Sequence, residues 1–173
     1  MDRENLLNPV SDAELERRWA AARTVMDARG VDALVMQNCN DHLGGYVRWF
    51  TDIPAYNGSP LTVIFSKSEP MTVIHQGPMG EEVALGPDEP IFRGTTKKLF
   101  SPSYAPVHYT RHYDAEVAVR EIKRRGLRTI GLVGTAAMYF EFLSKLKESL
   151  SGGVTFVDVT DEIDHLKAIK SAE

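Results

Sequence analysis

The feature that most constrains the fold is a helix pattern that ends at a glycine and is followed at once by an apolar strand pattern. Residues 12–29 carry one apolar stripe at helical spacing, and Gly30 follows directly. Residues 31–36 are mostly apolar, as in a strand that is covered on both faces. The same order returns at 114–125 and 129–133. These units predict an α/β fold in which helices cover a sheet.

The other patterns complete this arrangement. Residues 61–65 and 71–75 predict the two strands of an antiparallel hairpin with a longer turn. The remaining predicted elements are strands at 91–93, 98–100 and 154–158, a helix at 136–150 and a last helix from 161 onwards. Together these elements predict a three-layer α/β/α domain with a central mixed β-sheet.

Helix caps are predicted at two places. Ser11 and Glu14 form a capping-box pattern at the start of the first helix. Thr160 is expected to cap the last helix, whose apolar residues repeat at helical spacing. Residues 170–173 contain no glycine, asparagine or proline that would end this helix. We therefore expect the polypeptide to continue beyond residue 173, and the catalytic chemistry to lie there.

Composition excludes several classes of function. The chain has 173 residues, enough for one domain, with 20 basic and 24 acidic side chains and a net charge of −4, which does not favour a nucleic-acid partner. Cys39 is the single cysteine, so an intrachain disulfide is impossible and a cytoplasmic location is expected. No apolar run approaches the ~18 residues of a membrane span, and the polar N-terminus lacks a secretory signal.

The sequence contains no convincing catalytic or metal-binding pattern. Gly134-Thr135 follows a strand, but it supplies one glycine where a dinucleotide-binding turn has three, so we expect a plain turn and helix cap. His108 and His112 have the spacing of two zinc ligands on a helix, but Arg111 lies beside them and the metalloprotease glutamate is missing. We predict a solvated helix start there, and neither catalytic residues nor metal ligands in this chain.

The order of elements and several local segments resemble the N-terminal domain of the creatinase/prolidase family, which includes Xaa-Pro aminopeptidases and dipeptidases. The segments that carry this resemblance are 17–23 with Met26, 30–35, 40–52, 61–75, 130–132, 157–159 and 166–173. The resemblance implies a ribonuclease H-like motif in residues 11–160. It also implies an N-terminal extension at 1–10 and, at 161–173, the start of a linker helix to a C-terminal catalytic domain.

In the family, that second domain holds the metal-binding Asp, Asp, His, Glu, Glu set, or a metal-free histidine site in creatinase. The resemblance therefore implies that this chain alone is inactive and holds no cofactor. Its parent would be a hydrolase with a divalent metal in the other domain. The expected partners are that catalytic domain and, as a homodimer, a second copy of the protein.

The family also implies that this domain forms a dimer contact and part of the substrate-pocket wall. The residues expected in these contacts are His42, Tyr46, Trp49, Tyr56 and Asn57. Aromatic side chains are enriched at interfaces, although such rings also pack on their own domain, and the sequence leaves both roles open. Residues 57–60 lack the aromatic and arginine of creatinase's Phe-Gly-Arg-Pro loop, which argues against creatine as the substrate.

Two other functions stay open at this point. The first is a catalytically inactive module of the same fold that binds a peptide or protein partner. The second is a self-contained Rossmann-like binder of small molecules, which would need a phosphate loop that the sequence does not show.

Overall fold

The computed structural model describes residues 9–38, 45–53, 60–102 and 111–171. The helices are α1 (Asp12–Arg29), α2 (Gly45–Thr51), α3 (Tyr113–Arg124), α4 (Phe140–Ser149) and α5 (Thr160–Ala168). The strands are β1 (Ala33–Asn38), β2 (Leu61–Ser66), β3 (Met71–Gln76), β4 (Glu82–Ala84), β5 (Thr95–Ser101), β6 (Thr129–Val133) and β7 (Thr155–Asp158).

The seven strands form one mixed sheet in the order β4-β5-β3-β2-β1-β6-β7. The hairpin predicted from residues 61–75 is confirmed, because β2 pairs with β3 antiparallel. Strand β1 lies between two partners: Ala33 is opposite Ser66 of the antiparallel β2 and opposite Ile130 of the parallel β6. Strand β7 extends the parallel part beyond β6.

Helices cover both faces of this sheet, which confirms the predicted three layers. Alternate side chains of a strand point to opposite faces. In β1, Leu34 and Met36 join the apolar core that contains residues of α1, α2 and α5. Ala33 and Val35 join the second core, which contains residues of α3 and α4. Ile163 of α5 is fully buried in the first core.

Helix α1 has the predicted caps. Ser11 Oγ accepts a hydrogen bond of 3.1 Å from the backbone N–H of Glu14. Gly30 ends the helix with a φ of +61°, a left-handed conformation that glycine adopts without strain. Leu15, Ala22 and Met26 of the predicted stripe are buried.

Several predicted boundaries differ from the structure. Residues 91–93 form turns rather than a strand, and Phe92 is buried by side-chain packing. Helix α4 begins at Phe140 rather than at 136, after a short 3₁₀ turn at Thr135–Ala137. Helix α2 and strand β4 were not expected from the sequence.

The last helix also differs from its prediction. Helix α5 ends at Ala168, and Ile169 is already extended with φ −79° and ψ 103°. The helix begins at Thr160 itself, so Thr160 is not its N-cap residue.

In the described parts of the chain, no helix combines the length and the apolar character needed to cross a membrane.

Candidate functional site

The carboxyl ends of the three parallel strands β1, β6 and β7 meet at one edge of the sheet. Met36 is opposite Val133, and Leu132 is opposite Asp158, so the turn after β6 and the start of α5 are neighbours. Open α/β sheets bind their ligands at this edge. A cleft of about 710 Å³ opens here, lined by Tyr46, Gly134, Thr135, Ala136, Ala137, Asp158, Thr160, Asp161 and Glu162.

The floor of the cleft is a network of hydrogen bonds between the turn after β6 and the start of α5. The N–H of Gly134 donates to Thr160 Oγ1 at 2.9 Å, and Thr135 Oγ1 donates to Asp158 Oδ2 at 3.2 Å. Asp158 Oδ1 accepts the N–H of Thr160 at 2.9 Å. The Thr160 hydroxyl therefore binds the turn after β6, and the Asp158 carboxylate binds the first residue of α5.

Two opposing effects act on the pKa of the Asp158 carboxyl: its partial burial and these hydrogen bonds. Burial alone would raise its pKa, but the bonds from Thr160 and Thr135 outweigh burial and hold the pKa below its ordinary value. Asp158 therefore presents a fixed negative charge to the cleft.

Tyr46 of α2 forms one wall of the cleft. Its hydroxyl donates to Asp164 Oδ2 at 3.1 Å, and the Lys167 ammonium lies 3.8 Å from the ring centroid. The ring also packs directly on Gly134, where it leaves no room for a Cβ atom. Burial, with the charge of Asp164 as a further cause, raises the pKa of Tyr46 to about 12. These contacts fix an uncharged phenol in one orientation.

Trp49 lies on the same helix but does not line this cleft. Its ring is half-buried and packs edge-on against Phe50, with 4.9 Å between the ring centroids. The Arg18 guanidinium carbon lies 5.7 Å from the centroid of the Trp49 ring, and Arg18 Nη1 donates a hydrogen bond to the backbone carbonyl oxygen of Trp49. The Trp49 ring therefore packs on its own domain with part of its surface exposed, and its role in a pocket or dimer contact stays a prediction.

Three of the expected contact residues, His42, Tyr56 and Asn57, lie outside the described residues, as does His108. His112 precedes α3, and its imidazole lies 3.4 Å from Glu116 and 3.7 Å from Glu141. Within residues 9–38, 45–53, 60–102 and 111–171, no group of three or more His, Cys, Asp or Glu side chains could hold a metal ion.

Sequence reasoning missed the partners of Tyr46. In the sequence, Asp158 is the last residue of a predicted strand, and Asp164 and Lys167 are residues of the last predicted helix. The position of Asp158 at the end of a strand was a usable signal, because strand ends position side chains at the edge of a sheet. Nothing in the sequence joins Tyr46 to residues of α5.

Solved structures with the same fold include N-terminal domains and longer chains of peptidases. One is an Xaa-Pro aminopeptidase from Streptococcus pyogenes, at 16% identity and a TM-score of 0.59, with 90% of this chain and 99% of that chain covered. Another is the N-terminal domain of the cytoplasmic peptidase PepQ from Mycobacterium tuberculosis H37Rv, at 14% identity and a TM-score of 0.58, with coverage of 87% and 98%.

A third, dipeptidase PepE from Mycobacterium ulcerans, has 16% identity and a TM-score of 0.62, and the match covers 95% of this chain and 39% of that one. No curated protein sequence matches the chain. The family model of the creatinase/prolidase N-terminal domain matches residues 18–169, which include every strand of the sheet and most of α1. With so much of the fold covered by that match, the chain belongs to the creatinase/prolidase N-terminal domain family.

Proposed function

We propose that this chain is the non-catalytic N-terminal domain of a creatinase/Xaa-Pro peptidase-family hydrolase and contributes to its dimerisation and to its substrate-pocket wall. The observation that carries the proposal is the cleft at the carboxyl edge of the sheet, with Tyr46 as a fixed wall. A tyrosine ring offers a large contact area with a polar end, and this one loses little conformational freedom on contact because it is already held.

The cleft has the electrostatics of a surface that orients a substrate rather than one that reacts with it. Asp158 and Asp161 supply negative charge, and the Tyr46 phenol stays protonated at neutral pH. Negative charge beside an aromatic ring suits a cationic group such as the free amino end of a short peptide. Two of the solved proteins with this fold are an Xaa-Pro aminopeptidase and a dipeptidase, which supports a peptide as the substrate class.

The remaining parts of the proposal concern the complete protein. Its catalytic domain would follow α5 and hold any divalent metal, and the active form would be a homodimer in the cytoplasm. The family membership of the chain supports each of these assignments.

The test is the variant Tyr46→Ala in the complete gene product. Its hydrolysis of Xaa-Pro dipeptides is assayed, and its molar mass, which reports dimerisation, is measured by light scattering. We expect kcat/KM to fall by about tenfold, mainly through KM, because one ordered substrate contact is lost. Tyr113→Ala is the matched control, since Tyr113 is a half-buried tyrosine at the start of α3 and does not line the cleft. An unchanged kcat/KM together with an unchanged mass would refute the role of the cleft.

The same assay separates the proposal from an inactive binding module. A module without a catalytic parent predicts no peptide hydrolysis by the complete gene product with any divalent metal. Hydrolysis by the complete protein, and none by residues 1–173 alone, is the result that the proposal requires.

A further inference from the structure

A second cavity, of about 370 Å³, lies at the amino ends of the parallel strands, opposite to the carboxyl ends where the cleft lies. Strand β3 runs in the same direction as β1, because both are antiparallel to β2. Met71 and Thr95, which begin β3 and β5, line this cavity. It therefore opens where the parallel strands start, whereas the cleft opens where they end.

Four large apolar side chains, each from a different part of the fold, line this cavity. They are Trp19 of α1, Phe65 of β2, Met71 of β3 and Phe92 of the segment before β5. The indole N–H of Trp19 donates to the carbonyl of Phe50 at 2.7 Å, and a Cβ added at Gly94 would lie 2.5 Å from the Trp19 ring. The walls are thus fixed, and the volume is that of an ordinary small-molecule site.

One polar group in the wall of this cavity has no hydrogen-bond partner among the residues that the structure describes. Thr95 is 4% exposed, and its Oγ1 is buried without a hydrogen bond. A buried hydroxyl in that state costs about 1–3 kcal/mol, so native proteins keep few of them. Because Thr95 lines the cavity, a rotation of its side chain that turns Oγ1 toward a seated ligand would remove this cost.

Two charged groups of opposite sign on the rim lack a charged partner. The Arg23 guanidinium lies 4.9 Å from the Phe65 ring centroid and donates from Nε to the carbonyl of Lys67. Glu89 accepts the N–H of Ile91 through Oε1. Within the described residues, neither side chain has an opposite charge within 4.0 Å.

The other charges of the rim are already neutralised. Arg93 binds both Asp12 and Asp52, at 2.9 and 2.7 Å, and Glu69 lies 3.5 Å from Arg125. The unpaired charges that remain are one cation, which suits a carboxylate, and one anion, which suits an ammonium group. From this combination with the apolar walls and the Thr95 hydroxyl, we infer that the cavity binds a free apolar α-amino acid, a use that the pocket-wall function does not include.

The ligand would place its side chain against Trp19 and Phe92, its carboxylate at Arg23 and its ammonium group at Glu89. The probes are L-phenylalanine, 3-phenylpropanoate, which lacks the ammonium group, and 2-phenylethylamine, which lacks the carboxylate. Each is titrated into the 173-residue chain while the indole N–H resonance of Trp19 is followed by NMR. The chain has two tryptophans, so Trp49→Phe assigns the signal.

We expect L-phenylalanine to shift the Trp19 signal and to bind about tenfold tighter than either analogue, since each charge-assisted contact is worth that much or more. Arg23→Gln should weaken L-phenylalanine and 3-phenylpropanoate by about tenfold and spare 2-phenylethylamine. Glu89→Gln should weaken L-phenylalanine and 2-phenylethylamine and spare 3-phenylpropanoate. Thr95→Val, a change of similar volume, should weaken binding of L-phenylalanine, and Tyr46→Phe at the other edge should not.

Two results overturn the inference. One is the absence of any Trp19 shift with L-phenylalanine up to ~10 mM, a range that covers even weak sites. The other is an affinity for L-phenylalanine that is equal to or lower than the affinity for either analogue. This comparison uses only the unmodified chain, so it does not depend on the folding of any variant. Neither result bears on the cleft, because Tyr46→Ala tests that site separately.

Discussion

Tyr46 and Asp164 join the start of α2 to the middle of α5 through a hydrogen bond of 3.1 Å across 118 positions of the sequence. The ammonium of Lys167, one turn further along α5, lies against the same ring. The wall of the cleft is therefore held by the last helix of the fold. A change in the position of α5 would move Tyr46, and with it the shape of the cleft.

The first prediction concerns the titration of Tyr46. Its folded pKa of about 12 lies above the unfolded value of 10, so the protonated phenol stabilises the fold below pH 10 and this contribution is lost as the pH rises toward 12. A difference titration at 295 nm between the unmodified chain and Tyr46→Phe should isolate one phenol with this late midpoint. A midpoint at the ordinary value would contradict the burial and the Asp164 contact.

The second prediction concerns Gly134. Its φ is +71°, and an added Cβ would overlap the Tyr46 ring, so Gly134→Ala should displace the ring and destabilise the domain by about 2–4 kcal/mol. Gly30→Ala is the matched control, because Gly30 has a similar φ of +61° but nothing within 4 Å of the added atom. It should cost only ~1 kcal/mol. Chemical denaturation measures both, and equal losses would show that the ring is not tightly packed on Gly134.

The third prediction compares two glutamates that bind arginines three and four residues later. Glu14 binds Arg17 and Arg18, and Glu121 binds Arg124 and Arg125. Arg125 is 3% exposed, whereas Arg18 is 14% exposed. When the carboxylate is removed, the arginine that remains is unpaired, and an unpaired charge destabilises the fold more when it is more buried. Glu121→Gln should therefore lower the free energy of unfolding by about 3–5 kcal/mol, and Glu14→Gln by about 1 kcal/mol.

These glutamates also set the acid stability of the domain. At Glu121, burial would raise the pKa, but hydrogen bonds from Arg124, Arg125 and Lys97 lower it well below 4.5. The stability from this group is present above the unfolded pKa and is lost as the pH falls through the folded one. The unmodified chain should therefore lose its advantage over Glu121→Gln below about pH 4. A difference in unfolding free energy that stays constant down to pH 2 would contradict this network.

The fourth prediction concerns Gln37, a buried amide in β1. Its Nε2 donates to Asp114 at 2.6 Å and to Thr62 at 3.0 Å, and its Oε1 accepts the N–H of Tyr139. Gln37→Leu removes all three bonds in the interior and should cost about 3 kcal/mol. Gln76→Leu, at the exposed end of β3, should change stability by less than about 0.5 kcal/mol.

A double variant tests whether the cost comes from Asp114. Asp114 is 1% exposed and accepts the hydrogen bond from Gln37, so part of the loss in Gln37→Leu is the loss of this bond. Adding Asp114→Leu should then recover part of the stability. Strict additivity of the two changes would show that the two side chains are not energetically coupled.

The sequence predicted the elements whose local chemistry agrees with their packing. Helix α1 has a cap at Ser11, an apolar stripe and a terminal glycine, and all three are present in the fold. Helix α2 could not be predicted, because seven residues are too short to be stable alone. Its existence depends on tertiary packing, such as the contact of Phe50 with Phe65 at 5.1 Å between ring centroids. Strand β4 depends in the same way on pairing with β5, since all three of its residues are exposed.

The candidate site was predictable in composition but not in geometry. Aromatic residues between β1 and β2 indicated a contact surface, and Tyr46 does line the cleft. The same reasoning could not separate Tyr46 from Trp49, because the difference lies in which neighbour each ring meets. The strand predicted at 91–93 is absent for a related reason, since Ile91 and Phe92 are apolar because they pack against the core, not because they pair in the sheet.

The central position of β1 has a consequence for how the chain acquires its structure during synthesis. Ala33 pairs with Ser66 nearby in sequence, but its other neighbour, Ile130, is made 97 residues later (130 − 33). A nascent chain can therefore assemble the β1–β3 meander early, while the second edge of β1 stays bare until β6 leaves the ribosome. An apolar strand with a bare edge can pair with other chains, so this interval is when the protein is most exposed to aggregation.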